Sequence, residues 1–376
     1  MSPDPTPALK EMFNAARFRQ IAALLADCHP GFDQQRFLQL TTTGLEPLTL
    51  IQRMRHGTHA LHATLPASYP KALGVLRKLA PRIEHGFVGI MLPDFVGVYG
   101  REHFDESLDA LHYLTRFSSA EFAIREFLKR DFTRTLAVMA RWSRDESEHV
   151  RRLASEGCRP RLPWSFRLEA LVADPSPVAQ ILENLRADPS LYVRKSVANH
   201  LNDISKDHPD WMLERLKSWD LAHPHTQWIA KRAARTLIKT GNQQALGLFS
   251  FTEKPAVRLT DFKLTPARIK LGQPIEFSFT LTSASRHPQQ LAVDSIVHYV
   301  KASGGTSPKV FKLGELTLAA GQAQGLRKRQ TIRNFTTRKH YAGRHRVEIQ
   351  INGRIVAHGR FELVVPEKAG QKPFPD

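Results

Sequence analysis

Cysteine is scarce in this chain: only Cys28 and Cys158 occur among its 376 residues. They fall in separate predicted helical segments and lack the spacing of metal ligands, which is typical of buried free thiols in a reducing cytosol. The 17 histidines form no HExxH pattern, and neither a Gly-x-Ser-x-Gly elbow nor a P-loop occurs. We therefore expect no metal ion and no cofactor.

Long apolar runs are also missing. No stretch reaches the roughly 18 consecutive apolar residues of a membrane-spanning helix. The segment Met1–Lys10 lacks the basic start and apolar core of a secretory signal. The sequence thus predicts a protein that neither spans a membrane nor is exported, and we expect it in the cytoplasm.

Acidic residues are outnumbered. The chain has 54 Lys and Arg against 36 Asp and Glu, a net charge of +18 and a pI near 10.2. Such an excess points to a polyanionic partner, with nucleic acid first and an anionic membrane surface second. The excess is uneven, because the part from Glu253 onward holds 21 basic and 9 acidic residues and the rest holds 33 and 27. The C-terminal part is therefore the more basic per residue.

Two domains of different class are predicted, since the chain is too long for one ordinary core. Its first part, residues 8–249, reads as consecutive amphipathic helices with apolar residues three and four positions apart. The predicted helices include Phe18–Cys28, Asp33–Thr42, Pro47–Leu65, Lys71–Leu79, Asp105–Arg116 and Ala120–Arg130.

The second part alternates apolar and polar residues, which indicates strands and an immunoglobulin-like β-sandwich without a disulfide. The predicted strands include Ile275–Ser283, Leu291–Tyr299, Val310–Leu318, Arg344–Asn352 and Arg354–Val364. Asn352-Gly353 predicts a type I′ turn between the last two. We expect a helical domain at 1–252, a linker at 253–258, the sandwich at 259–366 and a flexible tail at 367–376.

The helical part contains an internal repeat. Three helices superpose around the apolar anchors Val150, Val193 and Ile229, which are 43 and 36 residues apart. Another amphipathic helix precedes each, at Thr133–Arg141, Pro177–Arg186 and Trp211–Ser218. Paired helices with a period near 40 residues predict a HEAT-like solenoid with an extended concave surface.

Helical geometry places one polar ridge beside the core stripe of these three helices. Ser196, Asn199 and Asp203 lie on it in the second helix, and Arg152 and Glu156 occupy the same flank in the first. The ridge is either an ordinary solvated face or, as the charge bias favours, a surface that binds phosphates. The predicted phosphate contacts of the helical part are Arg152, Arg159, Lys195, Lys206, Arg232, Arg235 and Lys239.

Two segments carry a resemblance to a known family. Ser196–Pro209 (SVANHLNDISKDHP) and Trp228–Arg235 (WIAKRAAR) resemble the signature of the HEAT-like alkylpurine DNA glycosylases, and most closely the AlkC branch. The resemblance covers about the first 250 residues, and the C-terminal sandwich is similar to the immunoglobulin-like extension of some AlkC members. It implies a monomer that acts on double-stranded DNA containing alkylated bases, located with the nucleoid in the cytoplasm.

The resemblance also implies a reaction. AlkC-type enzymes hydrolyse the N-glycosidic bond of N3-alkylated bases, typically 3-methyladenine and 3-methylcytosine, without flipping the lesion into a deep pocket. Such a base is already cationic and leaves readily, so the remaining tasks are to stabilise an oxocarbenium sugar and to position water, which carboxylates perform. The resemblance implies Asp203 first for this role, then Glu156 and Glu121. Glu121 is equally explained as an acidic residue that stabilises a helix N-terminus.

Further contacts are predicted outside the ridge. Trp164 follows a basic, proline-rich loop and either stacks on a sugar or base or anchors the loop in the core. In the sandwich, cations form either a solvated edge or a second DNA contact. The predicted contacts there are Arg327, Lys328, Arg329, Arg338 and Lys339. The turn at Asn352-Gly353 and the loop Ser303–Thr306 are candidate DNA probes.

Two other functions compete with the glycosylase hypothesis. A non-catalytic HEAT-repeat scaffold for DNA or RNA predicts steep salt dependence without base release. A protein–protein solenoid with the sandwich as an adhesion module is disfavoured by the basic ridge.

Overall fold

The structure, a computed structural model, describes residues 9–335 and 338–365. The predicted tail 367–376 and most of Met1–Lys10 lie outside these residues. By their internal contacts the residues divide into two compact units, one ending at Ala233 and the other beginning at Ala234. In the described part of the chain, no helix is long and apolar enough to cross a bilayer.

The first unit is built from helices. Its α-helices are α1 Ala15–Cys28, α2 Gln34–Thr42, α3 Leu50–Thr64, α4 Tyr69–Leu79, α5 Met91–Tyr99, α6 Phe104–Leu114, α7 Ile124–Arg130, α8 Phe132–Trp142, α9 Glu148–Glu156, α10 Glu169–Ala173, α11 Ala179–Asn184, α12 Leu191–Ile204, α13 Pro209–Ser218 and α14 Pro224–Ala233. Short 3-10 helices occur at Leu9–Met12, Ala80–Arg82, Val88–Ile90 and Ser176–Val178.

Capping residues set several of the helix starts. The side chains of Asn14, Asp33 and Asp131 accept hydrogen bonds from the backbone N–H groups three residues further on, at 2.8, 2.8 and 3.1 Å. Each cap satisfies one of the N–H groups that a helix leaves unpaired at its start. Asp33 is therefore the cap of α2 and not its first residue.

The predicted repeat is confirmed by the packing of three helices. Helices α8, α11 and α13 precede α9, α12 and α14, respectively, and α12 packs between α9 and α14. The predicted stripe Val193, Val197, Leu201 and Ile204 is almost fully buried. The helical part is thus an array of stacked helix pairs, as the period near 40 residues predicted.

The second unit begins with two short helices, α15 Arg235–Lys239 and α16 Gln243–Leu248, before the strands. Its strands are β1 Val257–Thr265, β2 Arg268–Lys270, β3 Pro274–Ser283, β4 Gln289–Val300, β5 Thr306–Leu318, β6 Ala323–Thr331, β7 Gly343–Ile351 and β8 Arg354–Val364. The first strand therefore starts inside the predicted linker. The division by contacts also lies before the predicted boundary at residue 252, because α15 and α16 group with the strands.

Two sheets form the predicted sandwich. One has the order β1-β3-β6 and the other β2-β8-β7-β4-β5, with antiparallel pairing throughout except for the parallel pair β2 and β8. Both sheets contribute to one apolar core, which includes Phe277, Leu281, Val297, Val347 and Phe361. Packing alone holds this core, since Cys28 and Cys158 are free and lie in the helical unit.

The turn Asn352-Gly353 joins β7 and β8 as predicted. Both residues have positive φ, 46° and 83°, as a type I′ turn requires. Its tip is not a free probe, because Gly353 touches Gly241 and a Cβ added to Gly353 would stand 2.2 Å from the Gly241 Cα. Hence the suggestion that this turn enters DNA is wrong: the tip is packed inside its own unit.

Candidate active site

Three carboxylates that lie far apart in sequence meet in the helical unit. Glu156 is the last residue of α9, Asp203 lies near the end of α12, and Glu121 precedes α7 by one turn. Side-by-side packing of α9 and α12 brings the first two together. Arg152 and Arg159 link the three into one chain of ion pairs, which we call the carboxylate network.

Arg152 joins Glu121 to Glu156. Its Nη1 donates to Glu121 Oε2 at 2.7 Å and to Ser119 Oγ at 2.6 Å, and its Nη2 lies 3.5 Å from Glu156 Oε1. Burial alone lowers the pKa of Arg152, but the two carboxylates outweigh burial and raise it. The guanidinium therefore stays charged and fixes both acids.

Arg159 joins Glu156 to Asp203. Its Nη1 donates to Glu156 Oε1 at 2.7 Å and its Nε to Asp203 Oδ2 at 2.8 Å. Ser196 donates to the other oxygen of Glu156 at 2.7 Å, and Lys206 Nζ to Asp203 Oδ1 at 3.0 Å. Burial opposes the charge of Arg159, and the adjacent carboxylates again raise its pKa overall. Every acid in the network is thus held by directed hydrogen bonds.

The network forms one wall of a cavity of about 430 Å³. Glu121 and Glu156 line it, whereas Asp203 does not and is bound by Arg159. The resemblance ranked Asp203 first, but the geometry brings Glu121 and Glu156 to the cavity. The three carboxylates are matched by the guanidinium groups of Arg152 and Arg159 and by the half-exposed ammonium of Lys206. Two carboxylates in the wall of the cavity, Glu121 and Glu156, can stabilise a cationic ligand there.

Trp164 stands at the rim of this cavity and is 61% exposed. The alternative of a core tryptophan is therefore wrong. Its φ of 64° lies in the left-handed region, which a bulky residue rarely adopts. The backbone thus presents the indole to the cavity at a conformational cost.

Tyr192, which the sequence did not single out, lines the same cavity. It is 39% exposed, the Arg152 guanidinium carbon lies 5.1 Å from its ring centroid, and the His149 ring meets it edge-on at 5.7 Å. A signal was present in the repeat, because Tyr192 and His149 occupy equivalent positions next to the anchors Val193 and Val150. An aromatic side chain beside each anchor marks the face that lines the site.

Not all predicted phosphate contacts of the helical part are exposed. Arg152 and Arg159 are largely enclosed by carboxylates, which does not fit an outward phosphate contact. Lys195 is exposed, and Lys206 is half-exposed beside Asp203. The remaining predicted cations are Arg232, whose guanidinium lies 5.4 Å from the Trp228 ring, and Arg235 and Lys239, which belong to the second unit.

Because side chains alternate along a strand, the predicted cations of the sandwich point to different surfaces. Arg327, Lys328 and Arg329 lie on β6, an outer strand of its sheet, and Arg327 pairs with Glu276 at 2.8 Å. Lys328 lines a cavity of about 540 Å³ within the second unit. That cavity is also lined by Lys239, Lys309, Lys312, Arg338 and His340. Lys339 is exposed, so the sandwich presents a concave basic surface as well as a basic edge.

No metal centre is formed by the described residues, since they contain no group of three or more His, Cys, Asp or Glu placed to hold an ion. Both cysteines are buried thiols. Burial raises the pKa of Cys158 to about 12, so this thiol stays protonated at neutral pH.

Comparison with known proteins identifies family models that match parts of the chain and a relative that matches most of it. Residues 111–241 match the family model of the DNA alkylation repair enzymes, and residues 258–365 match that of the C-terminal Ig-like domain of the uncharacterised protein YhaZ. The uncharacterized protein YhaZ of Bacillus subtilis is 44% identical over 348 residues, which cover 92% of this chain and 97% of that protein.

A solved structure matches both units. The alkylpurine DNA glycosylase AlkC of Pseudomonas fluorescens, bound to DNA containing an abasic site analog, is 52% identical with a TM-score of 0.92. The match covers 95% of this chain and 100% of that one. The residues that form the carboxylate network fall within the matched DNA alkylation repair region. The chain belongs to the AlkC family of DNA alkylation repair glycosylases and carries the Ig-like domain at its C-terminus.

Proposed function

We propose that this protein is a monofunctional DNA glycosylase that hydrolyses the N-glycosidic bond of cationic N3-alkylated bases, 3-methyladenine and 3-methylcytosine, in double-stranded DNA. One observation carries the proposal: Glu121 and Glu156 line a cavity whose rim holds the exposed Trp164. Two fixed acids beside an exposed indole suit a cation. The AlkC relative was solved bound to DNA containing an abasic site analog, which mimics a sugar that has lost its base, and this supports base removal as the reaction.

The reaction requires the protein to stabilise a positively charged sugar and to position a water molecule. The C1′–N bond breaks, and its electron pair neutralises the positive charge of the alkylated base. The sugar carbon then carries the positive charge, and a water oxygen forms the new bond to C1′. Glu121 and Glu156 stabilise the sugar cation, and one of them accepts the water proton. Asp203 supports them through Arg159, which binds both Asp203 and Glu156.

Lesion recognition without base flipping is also part of the proposal. A flipped base is normally read by polar groups along its edge. Here the acids of the cavity wall are already engaged with Arg152 and Arg159, and the apolar lining includes Phe117 and Leu162. We propose that Trp164 packs against the sugar or the cationic base in place of a closed pocket.

Base release from defined DNA tests this function. A duplex with one 3-methylcytosine and a methylated genomic DNA are incubated with the protein, and free bases are identified by mass spectrometry. We expect 3-methylcytosine and 3-methyladenine from the wild type, and release of both slowed about 100-fold or more in Glu121→Gln. Salt-dependent DNA binding by folded wild-type protein without any released base would instead establish the non-catalytic scaffold.

DNA binding by surface cations completes the proposal. In the helical unit we propose Lys195, Lys206 and Arg232 as phosphate contacts. In the second unit the proposed contacts are Arg235, Lys239, Arg327, Lys328, Arg329, Arg338 and Lys339. Phosphate contacts position a duplex without reading its sequence, so lesion selection rests with the cavity and not with these residues.

A further inference from the structure

Arg125 is a fully buried arginine on α7 whose partners are backbone carbonyls. Its Nη1 donates to the carbonyl oxygens of Gly157 at 3.0 Å and Arg159 at 2.7 Å, and its Nη2 donates to that of Phe166. These acceptors are 32, 34 and 41 residues away in the chain. One side chain therefore connects α7 to both ends of a single loop.

The loop in question, which we call the tryptophan loop, comprises residues Gly157–Phe166. It carries two groups of the candidate site: Arg159, which binds Glu156 and Asp203, and Trp164 at the rim of the cavity. Arg125 thus holds the first, third and last residues of the segment that supplies both.

Burying this cation is costly, which argues that its contacts matter. Burial lowers the pKa of Arg125 to about 10, so the group is still charged at neutral pH. A buried charge needs hydrogen bonds to offset the loss of water, and here carbonyl oxygens provide them to Nη1 and Nη2, whereas Nε has no partner among the described residues. The Phe166 ring lies over the same guanidinium, with the centroid 5.2 Å from its central carbon.

The tryptophan loop needs fixing at both ends because its backbone is strained. Trp164 has a φ of 64°, and such conformations persist only where the surroundings determine them. At the first end, Gly157 lies so close to α7 that a Cβ there would stand 2.5 Å from Ile124 Cγ2. In its middle, Arg161 forms a bidentate pair with Asp207 at 2.7 and 2.9 Å. Arg125 supplies the contact that joins the two ends.

We infer that Arg125 is a positioning residue for base release: it sets where Trp164 stands relative to Glu121 and Glu156. The part of the inference that concerns excision rests on the proposed function. The part that concerns the position of Trp164 rests on the geometry alone. Arg125 does not line the cavity and acts through the tryptophan loop. Its loss displaces the indole and Arg159 together while the cations on the surface stay in place, so the rate of excision falls and duplex affinity is little changed.

Lysine cannot take over this task. Its ammonium is a compact point charge on a flexible stem, whereas the planar guanidinium presents donors in a fixed fork. Arg125→Lys keeps the charge and removes the simultaneous hold on Gly157, Arg159 and Phe166. A displacement of about 1 Å in a catalytic constellation costs about a hundredfold in rate, and we expect a loss of that order in single-turnover excision.

Arg53 provides a matched control. It is also fully buried, and it donates to the carbonyls of Lys10, Phe13 and Glu46 at 3.3, 3.1 and 3.2 Å. Unlike Arg125 it also pairs with two carboxylates, those of Glu11 and Glu46, at 3.3 and 3.4 Å. It does not line the candidate cavity. Arg53→Lys therefore reports what the loss of a buried arginine that holds several carbonyls does to stability away from the cavity.

The experiment measures Tm, duplex Kd and single-turnover release of 3-methylcytosine for each variant. It also measures acrylamide quenching of Trp164 fluorescence. The signal of Trp164 is isolated by subtracting the fluorescence of the same protein carrying Trp164→Phe. We expect Arg125→Lys to slow release and alter Trp164 quenching, and Arg53→Lys to alter Tm alone. Wild-type release and unchanged Trp164 quenching in folded Arg125→Lys would overturn the inference, as would equal effects in the control. A wild type that releases no base refutes the proposed function, and the quenching comparison still decides the role of Arg125.

Discussion

At the residue scale, the site depends on acids that are held rather than free. Glu156 accepts from Arg159 and Ser196, and Glu121 accepts from Arg152. Carboxylates fixed in this way need no reorganisation when positive charge develops on a sugar. The arginines and acids therefore act as one unit, so we expect the rate losses caused by substituting them singly not to be additive.

Neutralising either cavity acid tests this directly. Glu121→Gln and Glu156→Gln keep the shape of the side chain and remove its charge, so we expect each to slow base release by about 100-fold or more. Duplex binding should be retained, because these acids repel phosphate. Asp203→Asn, which reaches Glu156 through Arg159, should also slow release. Single-turnover rates and Kd values on a 3-methylcytosine duplex check the prediction, and wild-type release by both glutamine variants would contradict it.

Trp164 offers a second test at this scale. Its exposed indole is available to stack, and base–aromatic stacking contributes about 1–3 kcal/mol. Trp164→Ala should therefore reduce excision about 10- to 100-fold, and Trp164→Phe should retain most of the activity since a ring remains. If alanine and phenylalanine variants excise equally well, the indole does not contact the lesion.

The sequence named Glu121, Glu156 and Trp164 as candidates, and the structure brings them to one cavity, but the sequence did not show how they are held. Helical offsets place a residue on a face, and they do not reveal whether a later segment covers that face. Arg152 lies between Glu121, Glu156 and the Tyr192 ring, and Arg159 turns from the tryptophan loop toward Glu156 and Asp203. Those two arginines consequently lie inside the network.

At the element scale, features set by adjacent residues were predicted and those set by distant contacts were not. The turn at Asn352-Gly353 follows from two residues that tolerate positive φ. Helix α5, Met91–Tyr99, is not among the helices named from the sequence, and because it is buried on nearly all sides no polar face gives it a helical period. The tryptophan loop takes its shape from Arg125, more than 30 residues away.

Asn352 links the turn to its surroundings and gives a stability test. Its side chain donates to the Thr252 and Gln290 carbonyls at 2.7 and 3.2 Å and accepts from Ala292 N–H at 2.6 Å. Asn352→Ala removes these three hydrogen bonds, leaves the Ala292 N–H without the Asn352 oxygen and strains a residue with positive φ. We expect a loss of about 1–3 kcal/mol in the free energy of unfolding.

Urea denaturation monitored by circular dichroism measures the change. The exposed Ile355 in the adjoining strand serves as the control, since Ile355→Ala removes little buried area. Equal stability of the Asn352 and Ile355 variants would show that the turn does not depend on the asparagine.

At the scale of the whole molecule, the excess of basic residues and the two fold classes could be predicted from the sequence. The residue at which one unit ends and the other begins could not be predicted as well. Helical and alternating patterns distinguish the two fold classes, but α15 and α16 have helical sequences and group with the strands. Composition alone does not show which neighbour a short helix packs against. The excess of basic residues after Glu253 therefore belongs to a unit that also contains Lys239.

This distribution of charge predicts how salt acts on binding. Each phosphate contact releases condensed counterions, so the slope of log K against log salt falls by about 1 for every contact removed. Lys328 and Arg329 lie on β6, and Arg327 beside them is already paired with Glu276. We expect Lys328→Ala with Arg329→Ala to weaken duplex binding and reduce the slope by about 2.

Titrations of a duplex over a series of salt concentrations measure that slope. Release at saturating protein should stay at the wild-type rate, because the carboxylate network lies in the helical unit. Lys254→Ala with Arg258→Ala, a matched pair of cations near the start of the same unit that is not among the proposed contacts, should leave the slope unchanged. An equal reduction in both double variants would mean that net charge, and not contact at β6, governs binding. A loss of release at saturation would instead give the sandwich a direct part in the reaction.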